Sequence, residues 1–175
     1  MMANERVRCR WATGDELMAA YHDDEWGRPE GAPDDNAHFE RLVLEMFQAG
    51  LSWRLILYRR AALRKAFKNF DIDRVARFGL RDVERLLNDA SIIRNRMKIE
   101  ATIENAKRIQ QLRKEHGSFM NWLNAALKGL ELKEMQKLFK KTFKFMGPSV
   151  AESYFQSVGL IDVPHDPECW RYKQK

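Results

Sequence analysis

Apolar residues recur with a helical period along almost the whole chain beyond residue 36, and no run alternates apolar with polar positions long enough for a strand. Behind Asn36, a candidate N-cap, Phe39, Leu42, Val43, Met46 and Phe47 form the one-sided stripe of an amphipathic helix that Gly50 ends. Ser52 is placed to cap a second helix, through Trp53, Ile56 and Leu57 to Phe67. Asp71 or Asp73 opens a short helix holding Val75 and Phe78 before Gly79. Residues 81–88 and 96–115 read as two more, the second with Ile99, Ile103, Ala106 and Ile109 on one face and Gly117 as its stop. Ser118 caps Phe119–Leu127, and after Gly129 a Lys-rich helix turns Met135, Leu138 and Phe139 inward. Gly147-Pro148 breaks the chain before a last stripe of Val150, Tyr154, Phe155 and Val158. The pattern predicts one all-α domain over residues 1–175. Its two ends, 1–35 and 160–175, carry little helical pattern and need something to tie them down.

Composition narrows the class. With 175 residues and 45% apolar content the chain can bury one substantial core. No stretch of membrane-spanning length is free of charge, so no membrane partner is expected. The stretch Met1–Arg8 has no apolar core of signal-peptide length, and a cytoplasmic location is expected. Nothing calls for an obligate protein partner, so a monomer is expected. A formal charge of +6 suits a polyanion, although many ordinary enzymes share it.

The two cysteines cannot build a disulfide framework, but each lies near a histidine. Cys9 precedes His22, and His165 precedes Cys169 with Pro167 favouring a turn between them. Two thiolates and two imidazoles are a ligand set that closes a tetrahedral structural Zn²⁺ site, and one ion here would join the N-terminal segment to the C-terminal one. The spacing matches no standard zinc finger, and two buried thiols beside two surface imidazoles would give the same sequence. His38 and His116 are unpaired and read as surface residues on helices. Trp11, Tyr21, Trp26 and Trp53 gather in the N-terminal half, and Glu45 lies on the flank of an apolar stripe. The aromatic residues could be packing and Glu45 a solvated acid; together they could form a slot for a flat or cationic ligand. Residues 88–96 join two helices by a small-residue, basic turn, where Arg94, Arg96 and Lys98 could hold a phosphate at a helix start or form a solvated corner.

Several blocks occur together: Arg8-Cys9-Arg10-Trp11, Tyr21-His22-Asp23-Asp24-Glu25-Trp26-Gly27, Leu44-Glu45, Gln48-Ala49-Gly50-Leu51-Ser52-Trp53, Ile92-Ile93-Arg94-Asn95-Arg96 with Lys98-Ile99, Phe143–Pro148 and Gly159-Leu160-Ile161. In this order, from Cys9 to Cys169, they resemble the DNA-3-methyladenine glycosylase I family. The resemblance implies a helix–hairpin–helix glycosylase that flips N3-methyladenine out of alkylated double-stranded DNA and hydrolyses its N-glycosidic bond, the first step of base excision repair. It implies one structural zinc on Cys9, His22, His165 and Cys169. It gives Glu45 the contact with the base, Trp11, Tyr21 and Trp53 the walls of the pocket, and Leu51 the place of a wedge in the duplex. Arg94, Arg96 and Lys98 fall in the DNA-binding hairpin. No Asp occurs between Asp89 and Asp162, where related enzymes for stable bases keep one, so a monofunctional enzyme for a labile base is expected. Ser149, Val150, Glu152, Thr142 and Met18 depart from the usual pattern, as does one extra residue before His165. The departures at Ser149, Val150 and Glu152 motivate an alternative, a zinc-stapled helix–hairpin–helix DNA-binding protein without glycosylase activity.

Overall fold

The computed structural model describes residues 6–172; residues 1–5 and 173–175, with the first part of the stretch read for a leader, lie outside the described residues. The helices are α1 (Glu16–Asp24), α2 (Asp35–Gln48), α3 (Trp53–Ala66), α4 (Ile72–Val75), α5 (Leu80–Leu87), α6 (Arg96–His116), α7 (Phe119–Ala126), α8 (Leu132–Thr142) and α9 (Pro148–Ser157). Single 3₁₀ turns stand at Arg10–Ala12, Pro29–Gly31 and Lys68–Phe70, and no strand is present among the described residues. No helix among them is long and apolar enough to cross a membrane.

Local chemistry explains most of the boundaries. Ser52, Asp71, Asn95 and Ser118 each accept a backbone N–H of their helix's first turn, which satisfies a donor that has no intrahelical partner. The cap of α2 is a correction: it is Asp34, whose carboxylate accepts the Ala37 N–H, while Asn36 accepts the Ile72 N–H and fixes the start of α4. A second correction concerns the N-terminal segment. Residues 16–24 form α1, capped by Asp15, where little helical pattern was expected. Its buried face is only Met18, Tyr21 and His22, too narrow a stripe to register as periodicity.

Helix α2 lies at the centre, against α3, α6, α7 and α9. Its residues from His38 to Phe47 are all buried, the polar flank included. His38 is therefore not a surface residue; it meets the Tyr154 hydroxyl at 2.8 Å, and burial lowers its pKa to about 4. Glu40 accepts from Arg60 and Arg64 of α3, and Glu25 accepts from Arg60 and from the buried Arg41.

The two ends of the chain close on each other beside this bundle. The Trp170 N–H donates to the Val7 carbonyl at 2.8 Å, and the Gly27 N–H donates to the Ser157 carbonyl at 3.2 Å. Gly27 has φ +68°, and a Cβ there would stand 2.8 Å from a Val163 methyl. Both the backbone conformation and the close approach require glycine. Gly27→Ala is expected to cost about 1–3 kcal/mol of stability, measured by urea denaturation, through overpacking against Val163 and positive-φ strain.

Candidate functional site

A cleft of about 390 Å³ opens beside α2, between α1, the start of α3 and α9. Glu45 and Gln48, one helical turn apart on α2, share its lining with Ser153 and Gln156 of α9. The aromatic walls are Trp11, Tyr21, Trp26 and Trp53, and Met18 completes the lining from α1. Tyr21 and Trp53 pack with ring centroids 5.0 Å apart, Trp11 and Tyr21 at 6.4 Å, and Trp11 meets Trp26 edge-on at 5.0 Å. Sequence grouped these four aromatic residues with Glu45, and the fold brings all five into one cleft. Gln48, Ser153 and Gln156 were not singled out; for Gln48 the three-residue spacing from Glu45 was the available signal.

The electrostatics are those of buried side chains. Glu45 is 6% exposed, and burial raises its carboxyl pKa to about 8 against the smaller opposing effects of Arg41 and Ser157. Tyr21 Oη and Trp53 Nε1 are both buried without a protein hydrogen-bond partner. Burial, and then the neighbouring Glu45, push the Tyr21 phenol well above its ordinary value, so it remains a neutral donor. Leaving such groups unpaired is costly, and a ligand with polar edges would relieve that cost.

Behind the aromatic wall lies a second cluster. The donor atoms of Cys9, His22, His165 and Cys169 all lie within 4.8 Å of one another. Cys9 Sγ is 3.4 Å from His165 Nδ1, and Cys169 Sγ is 3.4 Å from His22 Nε2 and 3.6 Å from His165 Nδ1. Ligand atoms around a tetrahedral zinc at ordinary bond lengths are separated by about 3.5 Å, so the four residues could hold such an ion. His22 has its other ring nitrogen on Asp23 at 2.9 Å, and Asp23 is held by Arg8 and by Trp170 Nε1. A carboxylate behind an imidazole is a common way of orienting a ligating histidine. The expected turn after His165 is present, closed by the Cys169 N–H on the Asp166 carbonyl. Trp11 lies edge-on to His22 at 5.4 Å and Trp26 to His165 at 5.0 Å, so cluster and cleft share a wall.

On the other flank, the turn after α2 carries Leu51, half-buried, with its N–H on the Gln48 carbonyl and its own carbonyl accepting from Gln48 Nε2. The segment 88–95 joins α5 to α6 and is fastened by Arg59 Nη1, which donates to the Ala90 and Ser91 carbonyls. Arg94 and Arg96 are exposed there, Arg96 within 3.2 Å of Glu100. Lys98 departs from expectation. It is 4% exposed, and its ammonium donates to the Phe47 and Ala49 carbonyls at 2.7 Å each, leaving it closed to an outside phosphate. The lysine neutralises the carbonyl end of α2 and ties the turn carrying Leu51 to α6.

The family model described as methyladenine glycosylase matches residues 11–172. DNA-3-methyladenine glycosylase 1 of Escherichia coli (strain K12) is 38% identical in an alignment of 174 positions that covers 89% of this chain and 91% of that protein. A crystal structure of 3-methyladenine DNA glycosylase I superposes with a TM-score of 0.85 at 35% identity, covering 95% of this chain and 100% of the other. The enzyme from Staphylococcus aureus, whose structure addresses 3-methyladenine recognition, superposes at 0.83 with 30% identity, covering 96% and 98%.

Glu45→Gln removes the cost of an ionised carboxyl at a buried position. A carboxyl whose folded pKa is raised favours folding most below its unfolded value, near 4.5, and loses that contribution as pH rises through about 8. The variant's melting temperature is therefore expected to rise relative to the parent as pH goes from 5 to 9, by the equivalent of about 2–4 kcal/mol, measured by calorimetry at both ends.

Proposed function

The chain belongs to the methyladenine glycosylase family, and from that premise we propose that it is a monofunctional DNA glycosylase releasing N3-methyladenine from alkylated double-stranded DNA. The observation that carries this reading is the cleft: a buried carboxyl, Glu45, beside Tyr21 and Trp53, whose buried polar atoms have no protein partner. A flat base with polar edges is the ligand such a slot lacks.

N3-methylation gives the purine a positive charge and weakens its bond to the sugar. The charge favours the ionised form of Glu45 once the base is seated beside it, and it favours the aromatic faces, while neutral adenine gains less from both. A duplex hides its bases, so the nucleotide is turned out into the cleft and Leu51 fills the gap it leaves. Arg94 and Arg96 hold the DNA backbone at the α5–α6 turn, the part played by the hairpin in this reading. When the glycosidic bond breaks, its electron pair passes to the purine and cancels the positive charge, and water adds to the sugar carbon and loses a proton. The labile substrate supplies much of the driving force, which fits a chain with no Asp between residues 89 and 162.

Cys9, His22, His165 and Cys169 would hold one structural zinc. The support is their mutual spacing, the Asp23 carboxylate behind His22, and the need to fasten two loop-rich segments whose Trp11 and Trp26 line the cleft. A bound zinc would supply a fixed tie between the segments. The alternative without catalysis rested on Ser149, Val150 and Glu152. None of these lines the cleft, and the Glu152 carboxylate accepts from Gln136 of α8.

Chromatography of bases freed from methylated DNA tests the activity. Release of 3-methyladenine without strand cleavage is expected, and Glu45→Gln should lower the rate by about tenfold or more, equivalent to at least 1.4 kcal/mol of lost transition-state stabilisation. Base release unchanged by this substitution would remove Glu45 from the mechanism. Elemental analysis of protein purified without chelators is expected to find about one zinc per chain, and Cys169→Ser should lose the metal and lower stability; a metal-free parent would refute the tie.

A further inference from the structure

The loop between α8 and α9 holds a side chain that the reading above leaves unused. Phe145 has φ +55°, a left-handed conformation that costs an aromatic residue energy and persists only where the surroundings enforce it. The enforcement comes from α6. Asn105, wholly buried, accepts the Lys144 N–H at 2.7 Å and donates to the Lys144 carbonyl at 3.0 Å, so one side chain clasps both backbone groups of the preceding residue. Arg108 Nη1 donates to the Thr142 carbonyl at 2.6 Å and fastens the start of the same loop. All this ordering leaves Phe145 37% exposed rather than in the core.

The place to which the ring is held is specific. The Lys98 ammonium lies 5.8 Å from the centroid of the Phe145 ring, within cation–π range, while the same ammonium holds the carbonyl of Ala49, two residues before Leu51. Phe145 and the Leu51 turn therefore flank one buried charge. On its other side Phe145 borders a cleft whose rim carries Lys140 and Lys144, with Phe143 and Met146 as its apolar floor, and Lys141 is exposed nearby. An exposed aromatic ring among lysines is the arrangement with which proteins hold unstacked bases and the phosphates beside them.

We propose that Phe145 is, beside Leu51, a second residue that meets the base stack, the face on which the base opposite the lesion stacks once its partner has been turned out. The inference rests on the DNA reading of the cleft and deepens it: Leu51 fills the gap on the damaged strand, and Phe145 occupies the orphaned base, which would otherwise compete to re-pair with the lesion. Lys140, Lys141 and Lys144 meet the phosphates of that strand.

Binding to two stable duplexes tests the proposal, one with a tetrahydrofuran abasic site opposite thymine and one with abasic sites on both strands. Phe145→Asn removes the ring while keeping a residue that tolerates left-handed backbone, and Phe145→Gly is a second variant that keeps the loop conformation. Fluorescence anisotropy is expected to show each variant weakened by about fivefold or more on the first duplex and by less than about twofold on the second. Quenching of tryptophan fluorescence by free 3-methyladenine, which reads the cleft alone, is expected to be unchanged, as is the circular-dichroism melting profile to within a few degrees. Wild-type affinity for the first duplex, an equal loss on both duplexes, or a parallel loss of free-base binding would each overturn the role given to Phe145. A parent protein that binds neither duplex would overturn the DNA reading itself.

Discussion

Helix α2 is buried from His38 to Phe47, and most polar residues of that span find their partners within the protein. His38 has Tyr154, Glu40 has Arg60 and Arg64, and Arg41 has Glu25. Each pairing draws another element inward: α9 through Tyr154, α3 through its two arginines, and the segment after α1 through Glu25. For Glu40 burial alone would raise the carboxyl pKa, yet Arg64 and Arg60 outweigh it and hold the acid below its ordinary value. One turn further along, Glu45 has no such pair of guanidinium groups, and burial dominates its titration. Two acids on one helix are thus set to opposite protonation preferences by what α3 supplies to one and not to the other.

The helical plan was legible because it depends on local chemistry. Ser52, Asp71 and Ser118 cap where their spacing from the following apolar stripe says they should, and the face of α6 carries the expected Ile99, Ile103, Ala106 and Ile109. The errors arise where tertiary contacts decide. Asp34 and Asn36 are both competent caps, and the choice falls to Asp34 because Asn36 is engaged by the distant Ile72 N–H. His38 reads as a surface residue until α9 covers it. Helix α1 has so narrow an apolar face, Met18 and Tyr21 against Leu57, that its formation depends on packing against α3 rather than on any strong pattern of its own.

The candidate site shows the same division. Residue types left the grouping of Glu45 with Trp11, Tyr21 and Trp53, and that of Cys9, His22, His165 and Cys169, open against simple packing, and the family's blocks of sequence favoured both. Their chemistry did not follow. The burial that governs Glu45 and the unsatisfied atoms of Tyr21 and Trp53 depend on how α1, α3 and α9 close around α2. Lys98 is the clearest case. A basic residue in a basic turn reads as a phosphate ligand, yet its side chain runs inward to the carbonyls at the end of α2, because that helix terminus needs a cation more than the surface needs another. The Arg59 contacts to Ala90 and Ser91 and the Lys98 contacts to Phe47 and Ala49 make the turns at the two flanks parts of one framework.

Under the proposed function, the titration of Glu45 bears on how a charged guest would enter and leave. In the empty cleft the carboxyl holds its proton near neutrality, so the slot carries no net negative charge to attract stray cations. Seating a cationic base beside it would expel that proton, exchanging one positive charge for another at constant local charge. In the proposed reaction cleavage would leave a neutral purine, the carboxyl would take a proton back, and the electrostatic grip on the product would be released. The acid would thus act as a counterweight, engaged while its guest is charged and disengaged by the reaction that discharges it.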